Sequence, residues 1–374
     1  MADNISDSLP ADYERGRFLG RADTPDGPCV ILIEQGKLYD LTARVATTSG
    51  AIARRAFDGG MLIGPVSDGL PEGWSLLSPV DLQCIKAAGV TFALSAIERV
   101  IEEQARGDAA AASEIRAQLE GKVGSGIRSV VPGSEEAMQL KAALIEEGMW
   151  SQYLEVAIGP DAEIFSKSPV LSTVGHGAEI GVRSDSSWNN PEPEVVLACD
   201  SHGEVVGAAL GNDVNLRDFE GRSALLLSKA KDNTASCSIG PFIRLFDENF
   251  TIDDVRSANV DLTIEGPDGY RLEGTNIMAQ ISRDPLDLVS QCLSEHHYPD
   301  GFVLFCGTLF APTQDRDEEG AGFTHKIGDK VTIQSDRIGT LQNTVTTSRD
   351  AAPWEMGFAA FARNLAGRGL IDKI

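Results

Sequence analysis

Glu192 and Glu194, followed downstream by Asn212-Asp213, carry the clearest chemical signal in this chain of 374 residues. Alternate positions of a strand project to one side of the pleat, so the two glutamates converge. Asp200-Ser201-His202-Gly203 reads as a tight turn, and residues 204–210 read as the returning antiparallel strand. With Asp200 paired to Gly203, Glu194 falls opposite Ala209 and Glu192 opposite Gly211, and Asp213, two positions beyond, shares their face. Carboxylates gathered in this way repel one another unless a cation neutralises them. An all-oxygen set without His or Cys suits Mg²⁺ or Mn²⁺ better than Zn²⁺, and leaves coordination positions for water or a chelating substrate. Spacing alone also fits a solvated acidic hairpin.

The elements that must hold these residues are mostly short strands. Residues 29–34 and 37–40 flank Gln35-Gly36 as a hairpin, a helix is expected around residues 51–57, and a Gly- and Pro-rich run ends near Ser78-Pro79. That run suggests a small N-terminal β-rich domain over residues 1–80 and a catalytic domain over 81–374. Leu94, Ile97, Val100 and Ile101 recur at helical spacing, and residues 92–153 read as a helical insertion whose last helix spans 135–153. Further strands are expected at 194–199, 204–210, 260–264, 302–306 and 330–334, with a helix at 286–293. Strand-dominated sequence with irregular loops gives an α+β, mainly β class and excludes a doubly wound fold.

Composition narrows the partners. A formal charge of −24 excludes unaided binding of nucleic acid or anionic membrane, and an anionic substrate must meet locally placed cations. The six cysteines are scattered without a CxxC pair, as in reduced cytosolic proteins. The first residues lack a basic, then apolar leader, and no apolar run is long enough to span a bilayer, so a cytoplasmic protein is expected.

Several ordered motifs carry a resemblance. Glu192-x-Glu194, Gly211-Asn212-Asp213-Val214-x-x-Arg217-Asp218, Ala230-Lys231, Ile239-Gly240-Pro241, Gly307-Thr308, Lys326 to Val331 and Ile338 to Asn343 together resemble the signature of the fumarylacetoacetate hydrolase superfamily. The resemblance implies a β-roll catalytic domain that assembles as a homodimer or a dimer of dimers. It also implies a Mg²⁺ or Mn²⁺ ion on Glu192, Glu194 and Asp213, with Lys231 beside it. Arg217 then matches a substrate-side arginine and Thr308 the residue that binds a substrate carboxylate.

One stretch departs from the family. Hydrolases of this superfamily that cleave carbon-carbon bonds usually show Gly-x-Asn-Tyr-x-x-His-x-x-Glu, whose His and Glu activate water. Here Gly89 to Glu98 keeps the glutamate, Glu98, but has Ser95 for the histidine, with Thr91 and Phe92 on the substrate side. A hydroxyl cannot replace imidazole as a general base near neutral pH. The variant is similar to the 2-keto-3-deoxy-pentonate dehydratases of the superfamily, which implies a small anionic sugar acid such as 2-keto-3-deoxy-D-xylonate or D-arabinonate and 2,5-dioxopentanoate as product. In that chemistry Lys231 takes the C3 proton, and Glu98, oriented by Ser95, protonates the departing C4 hydroxyl. A structural salt bridge from Lys231 to Glu192 or Asp213 is the plainer role. A hydrolase or decarboxylase of an acylpyruvate or other diketo acid is the alternative activity, and a silent metal-stabilised protein the alternative class. His176 and His325 are the histidines expected near the pocket rim.

Overall fold

A computed structural model describes residues 5–92, 96, 100–101, 104–106, 108, 111–112, 130–146, 150–310, 312, 314–317 and 322–374. The fold is α+β and mainly β, as the strand-rich sequence implies. Its larger sheet runs Met61–Pro65, Lys37–Asp40, Cys29–Glu34, Arg17–Asp23, Cys237–Leu245, Val205–Asp213, Pro193–Cys199, Phe302–Phe305, Cys84–Gly89 and Glu163–Ser168, with Ser75–Leu77 paired to Arg17–Asp23. A smaller sheet is ordered Arg271–Ile277, Asn259–Glu265, Lys330–Ser335, Gly339–Thr347 and Glu179–Val182. No helix among the described residues is long and apolar enough to cross a membrane.

The two sheets stack through one core. Val195, Leu197, Leu210 and Leu304 of the larger sheet meet Val260, Leu262, Val331, Ile333 and Leu341 of the smaller. Alternation sends Val196, Ala198, Ala209, Val303 and Phe305 to the opposite face, where they pack with Leu19, Val30, Leu32 and Ile52. The central strands are therefore covered on both sides, which explains why Pro193–Cys199 and Cys237–Leu245 are buried at every position.

The N-terminal strands continue the larger sheet. Phe18 and Leu19 pair with Arg244 and Ile243, so residue 80 divides the sequence but not the sheet. The expected helices near 51–57 and 286–293 form as Thr48–Arg54 and Pro285–Leu293. The second begins where Asp284 accepts from the Leu286 N–H and Pro285 supplies a first position that needs no donor. The expected helix at 135–153 is two helices, Glu135–Glu146 and Gln152–Ile158, with Ser151 capping the second.

Candidate metal centre

The acidic hairpin forms, but in a different register from the one a turn between Asp200 and Gly203 sets. Glu194 lies opposite Gly211 and Pro193 opposite Asn212. Two features at the closed end produce the change. The Asp200 N–H donates to the Glu204 carbonyl, which lengthens the turn by a residue, and a bulge between Ala198 and Cys199 adds another. The displacement is two residues, an even number, so the side chains keep their face. Continued outward, the same register sets Glu192 against Asp213, whose N–H donates to the Glu192 carbonyl at 3.1 Å. Asn190 then faces Asn215, and the Arg217 guanidinium lies 4.9 Å over the Trp188 ring.

Glu192, Glu194 and Asp213 are all buried, and each offers a carboxylate oxygen within 4.8 Å of the other two. Gly211 matters to this approach. A Cβ there would stand 2.3 Å from the Phe305 ring and 2.5 Å from Val196, so only hydrogen fits opposite Glu194.

Lys231 completes the centre from the end of the short helix Leu227–Lys231. Its ammonium donates to Glu192 Oε2 at 2.5 Å and to Asp213 Oδ2 at 3.0 Å. A second lysine, Lys167, is fully buried with its ammonium 2.9 Å from Asp213 Oδ1. Sequence reasoning missed it. Nothing local in Glu163-Ile164-Phe165-Ser166-Lys167-Ser168 marks that lysine as buried, since an alternating strand with polar neighbours reads equally well with Lys167 in solvent. Gly307 was expected only as part of a motif, yet its N–H donates to Glu194 Oε2 at 2.6 Å.

These contacts divide the carboxylates. Burial, and then the charges of Asp213 and Glu192, push the Glu194 carboxyl well above its ordinary range, against the pull of Lys231 and the Gly307 N–H. Burial alone would also raise Asp213, but Lys167 and Lys231 outweigh it and hold that carboxyl below its ordinary value. The two ammonium groups pair with Asp213 and Glu192, which leaves Glu194 the least compensated of the three carboxylates. An oxygen-seeking divalent cation fits such a donor set.

The other expected residues fall in different places. Thr308 is half-buried beside Gly307, its hydroxyl in a local turn with Phe310. Arg217 is buried under Trp188 and donates to the Pro312 carbonyl at 2.9 Å. Thr91 and Phe92, expected on the substrate side, are buried: the Thr91 hydroxyl donates to the Cys306 carbonyl at 2.7 Å, bracing the turn that presents Gly307, and Phe92 packs in the inter-sheet core. Ser95 and Glu98 lie outside the described residues. His176 accepts from the Gln342 N–H, and His325 is buried against Asp329 at 3.1 Å, with burial holding its imidazole below the ordinary range.

Residues 133–346 match the profile described as fumarylacetoacetate (FAA) hydrolase C-terminal. A "Probable 2-keto-3-deoxyxylonate dehydratase" from Haloferax volcanii is 34% identical over 202 residues, 54% of this chain and 66% of that protein. A "2-dehydro-3-deoxy-D-arabinonate dehydratase" from Saccharolobus solfataricus is 33% identical over 187 residues, 50% of this chain and 59% of that protein. The matched stretch thus spans less than two thirds of either relative. Among solved structures, "2-keto-3-deoxy-D-arabinonate dehydratase complexed with magnesium and 2,5-dioxopentanoate" superposes with a TM-score of 0.62 at 21% identity, covering 88% of this chain and 99% of that one. "Fumarylacetoacetate hydrolase (EaFAH) from psychrophilic Exiguobacterium antarcticum" gives 0.56 at 16% identity, with 88% and 99% covered. These structural likenesses are likenesses of fold. With the family profile matching more than half of its residues, the chain belongs to the fumarylacetoacetate hydrolase family.

Proposed function

We propose that the protein is a Mg²⁺-dependent dehydratase that converts a 2-keto-3-deoxy-pentonate, such as 2-keto-3-deoxy-D-xylonate or D-arabinonate, to 2,5-dioxopentanoate. The observation that carries this reading is the buried Lys231 ammonium placed against two carboxylates of the triad. The two curated dehydratase relatives, and the solved dehydratase structure holding magnesium and 2,5-dioxopentanoate, support it. Glu192, Glu194 and Asp213 would hold the ion, with Mn²⁺ an acceptable substitute. The ion supplies Lewis-acid polarisation of the 2-oxo group, which acidifies the neighbouring C3 protons.

The chain's own residues do the rest. Lys231, in its neutral form, takes a proton from C3. Glu98, oriented by Ser95, gives a proton to the C4 hydroxyl, which leaves as water. Transfer of a C5 proton back to C3 gives an enol, and transfer of its hydroxyl proton to C4 turns that end into the aldehyde, so the net change is loss of one water. Thr308 binds the substrate carboxylate and Arg217 complements its charge. Burial of the triad and of Lys231 keeps bulk water from the reacting carbons. Ser95 in place of histidine leaves no water-activating imidazole at that position, which favours elimination over hydrolysis.

The test is C3 exchange in deuterated water with Lys231→Ala. Dehydration and exchange are both expected to fall by about 10²–10⁴-fold, the range of a lost general base. Full exchange in the variant would remove Lys231 from the proton transfer and leave it a structural ion pair.

A further inference from the structure

Lys167 is a buried cation that the proposed chemistry leaves without a role. It sits on the strand Glu163–Ser168, and its ammonium pairs with Asp213 Oδ1 at 2.9 Å. The same ammonium donates to the backbone carbonyl of Lys231, and the Val214 carbonyl and Ser236 Oγ each lie 3.4 Å away. Ser236 Oγ also donates to the Lys231 carbonyl, at 2.9 Å. One ammonium therefore joins a carboxylate of the triad to the residue that ends the helix Leu227–Lys231.

Burying an ammonium costs several kcal/mol before its partners offset the penalty, and an apolar side chain would fill the same space without it. The useful difference is directional. Asp213 faces an ammonium at each oxygen, Oδ1 the Lys167 ion pair at 2.9 Å and Oδ2 the Lys231 hydrogen bond at 3.0 Å, so the two lysines together set the plane of the carboxylate. Lys231, at the last position of a helix of only five residues, has little helical backbone to anchor it, and its carbonyl is fastened by Lys167 and Ser236. We infer that Lys167 is a positioning residue that orients Asp213 as a metal ligand and anchors the backbone of Lys231, so that ligand and base keep a set separation. It touches neither substrate nor metal. The inference rests on the metal and lysine roles proposed above.

Lys167→Met and Ser236→Ala in the full chain test it. Mn²⁺ is titrated by electron paramagnetic resonance without substrate, and kcat and KM for 2-keto-3-deoxy-D-xylonate are then measured at saturating Mn²⁺. Lys167→Met is expected to bind Mn²⁺ about 10–100-fold more weakly, the usual effect of losing a group that orients a metal ligand, and to have a lowered saturated kcat with little change in KM. Ser236→Ala, which loses the anchor on the Lys231 carbonyl and a contact with Asn233 but leaves the Lys167–Asp213 pair in place, should keep its Mn²⁺ affinity and lose kcat alone. A folded Lys167→Met protein with unchanged Mn²⁺ affinity or unchanged saturated kcat overturns the inference. If Lys167→Met does not fold, a wild-type kcat in Ser236→Ala overturns it. Wild-type protein that binds no Mn²⁺ defeats the metal centre and the inference with it. Wild-type protein that binds Mn²⁺ without turnover defeats the dehydratase reading alone, and the Mn²⁺ titrations then judge Lys167.

Discussion

The carboxylates of the triad are chemically unequal, and their differences set how the site responds to pH. Glu194 is raised above the 4.5 of an ordinary glutamate, so its neutral form is favoured in the metal-free fold. A raised folded value means stability is fully present below about 4.5 and is lost as pH rises through the folded value. Asp213 is lowered, so its contribution is present above the ordinary 3.8 and is lost as pH falls through its folded value. Glu194's contribution is lost on the alkaline side and Asp213's on the acid side, so the two losses do not overlap. A metal ion held by the triad would bind the ionised Glu194 and reverse its penalty, so the rise in melting temperature on adding Mg²⁺ should grow as pH increases from about 5 to 8. A rise that shrinks over that range would contradict the assignment of Glu194. At Ser95, a Ser95→His variant should gain nothing in dehydration. A faster variant would mark Ser95 as a defect and not a specialisation.

Element by element, the parts with regular alternation or a clear turn were legible in the sequence. The hairpin Cys29–Glu34 and Lys37–Asp40 and the strands Pro193–Cys199, Asn259–Glu265 and Lys330–Ser335 fall where expected, within a residue or two. The central strand Cys237–Leu245 did not stand out, because Pro241 argues against an interior strand. The structure accommodates Pro241 where the register with Val205–Asp213 shifts between Ala208 and Leu210, a place that requires no regular ladder bond. The hairpin register was misjudged for a related reason, since neither the bulge nor the longer turn has a sequence signature. The triad survived the error only because the slip was even. Lys167 was invisible because its partners, Asp213 and the Lys231 carbonyl, come from distant parts of the chain. Gly211→Val tests how tightly the hairpin is built. The added side chain would overlap Phe305 and Val196, with an expected loss of about 1–3 kcal/mol in urea unfolding and weaker Mg²⁺ binding. Wild-type stability would show that the strands can part at no cost.

At the scale of the whole molecule, a site with two buried lysines is set in a chain of net charge −24. The proposed anionic substrate would be repelled at long range and attracted only by the ion and lysines of the site, so kcat/KM should rise with ionic strength as the outer repulsion is screened. A fall with added salt would mean that the local cations dominate approach. Assembly is a further expectation at this scale. The family resemblance implies a homodimer or a dimer of dimers, and sedimentation of the metal-loaded protein should give one of those masses and not a monomer. The central claim is that the metal centre eliminates water and does not add it. Its most direct measure is proton NMR of 2-keto-3-deoxy-D-xylonate incubated with the Mg²⁺-loaded protein, with an EDTA-treated control. The expected result is equimolar 2,5-dioxopentanoate, formed only with the metal. Pyruvate or another carbon-carbon cleavage product, or unchanged conversion after EDTA, would contradict it.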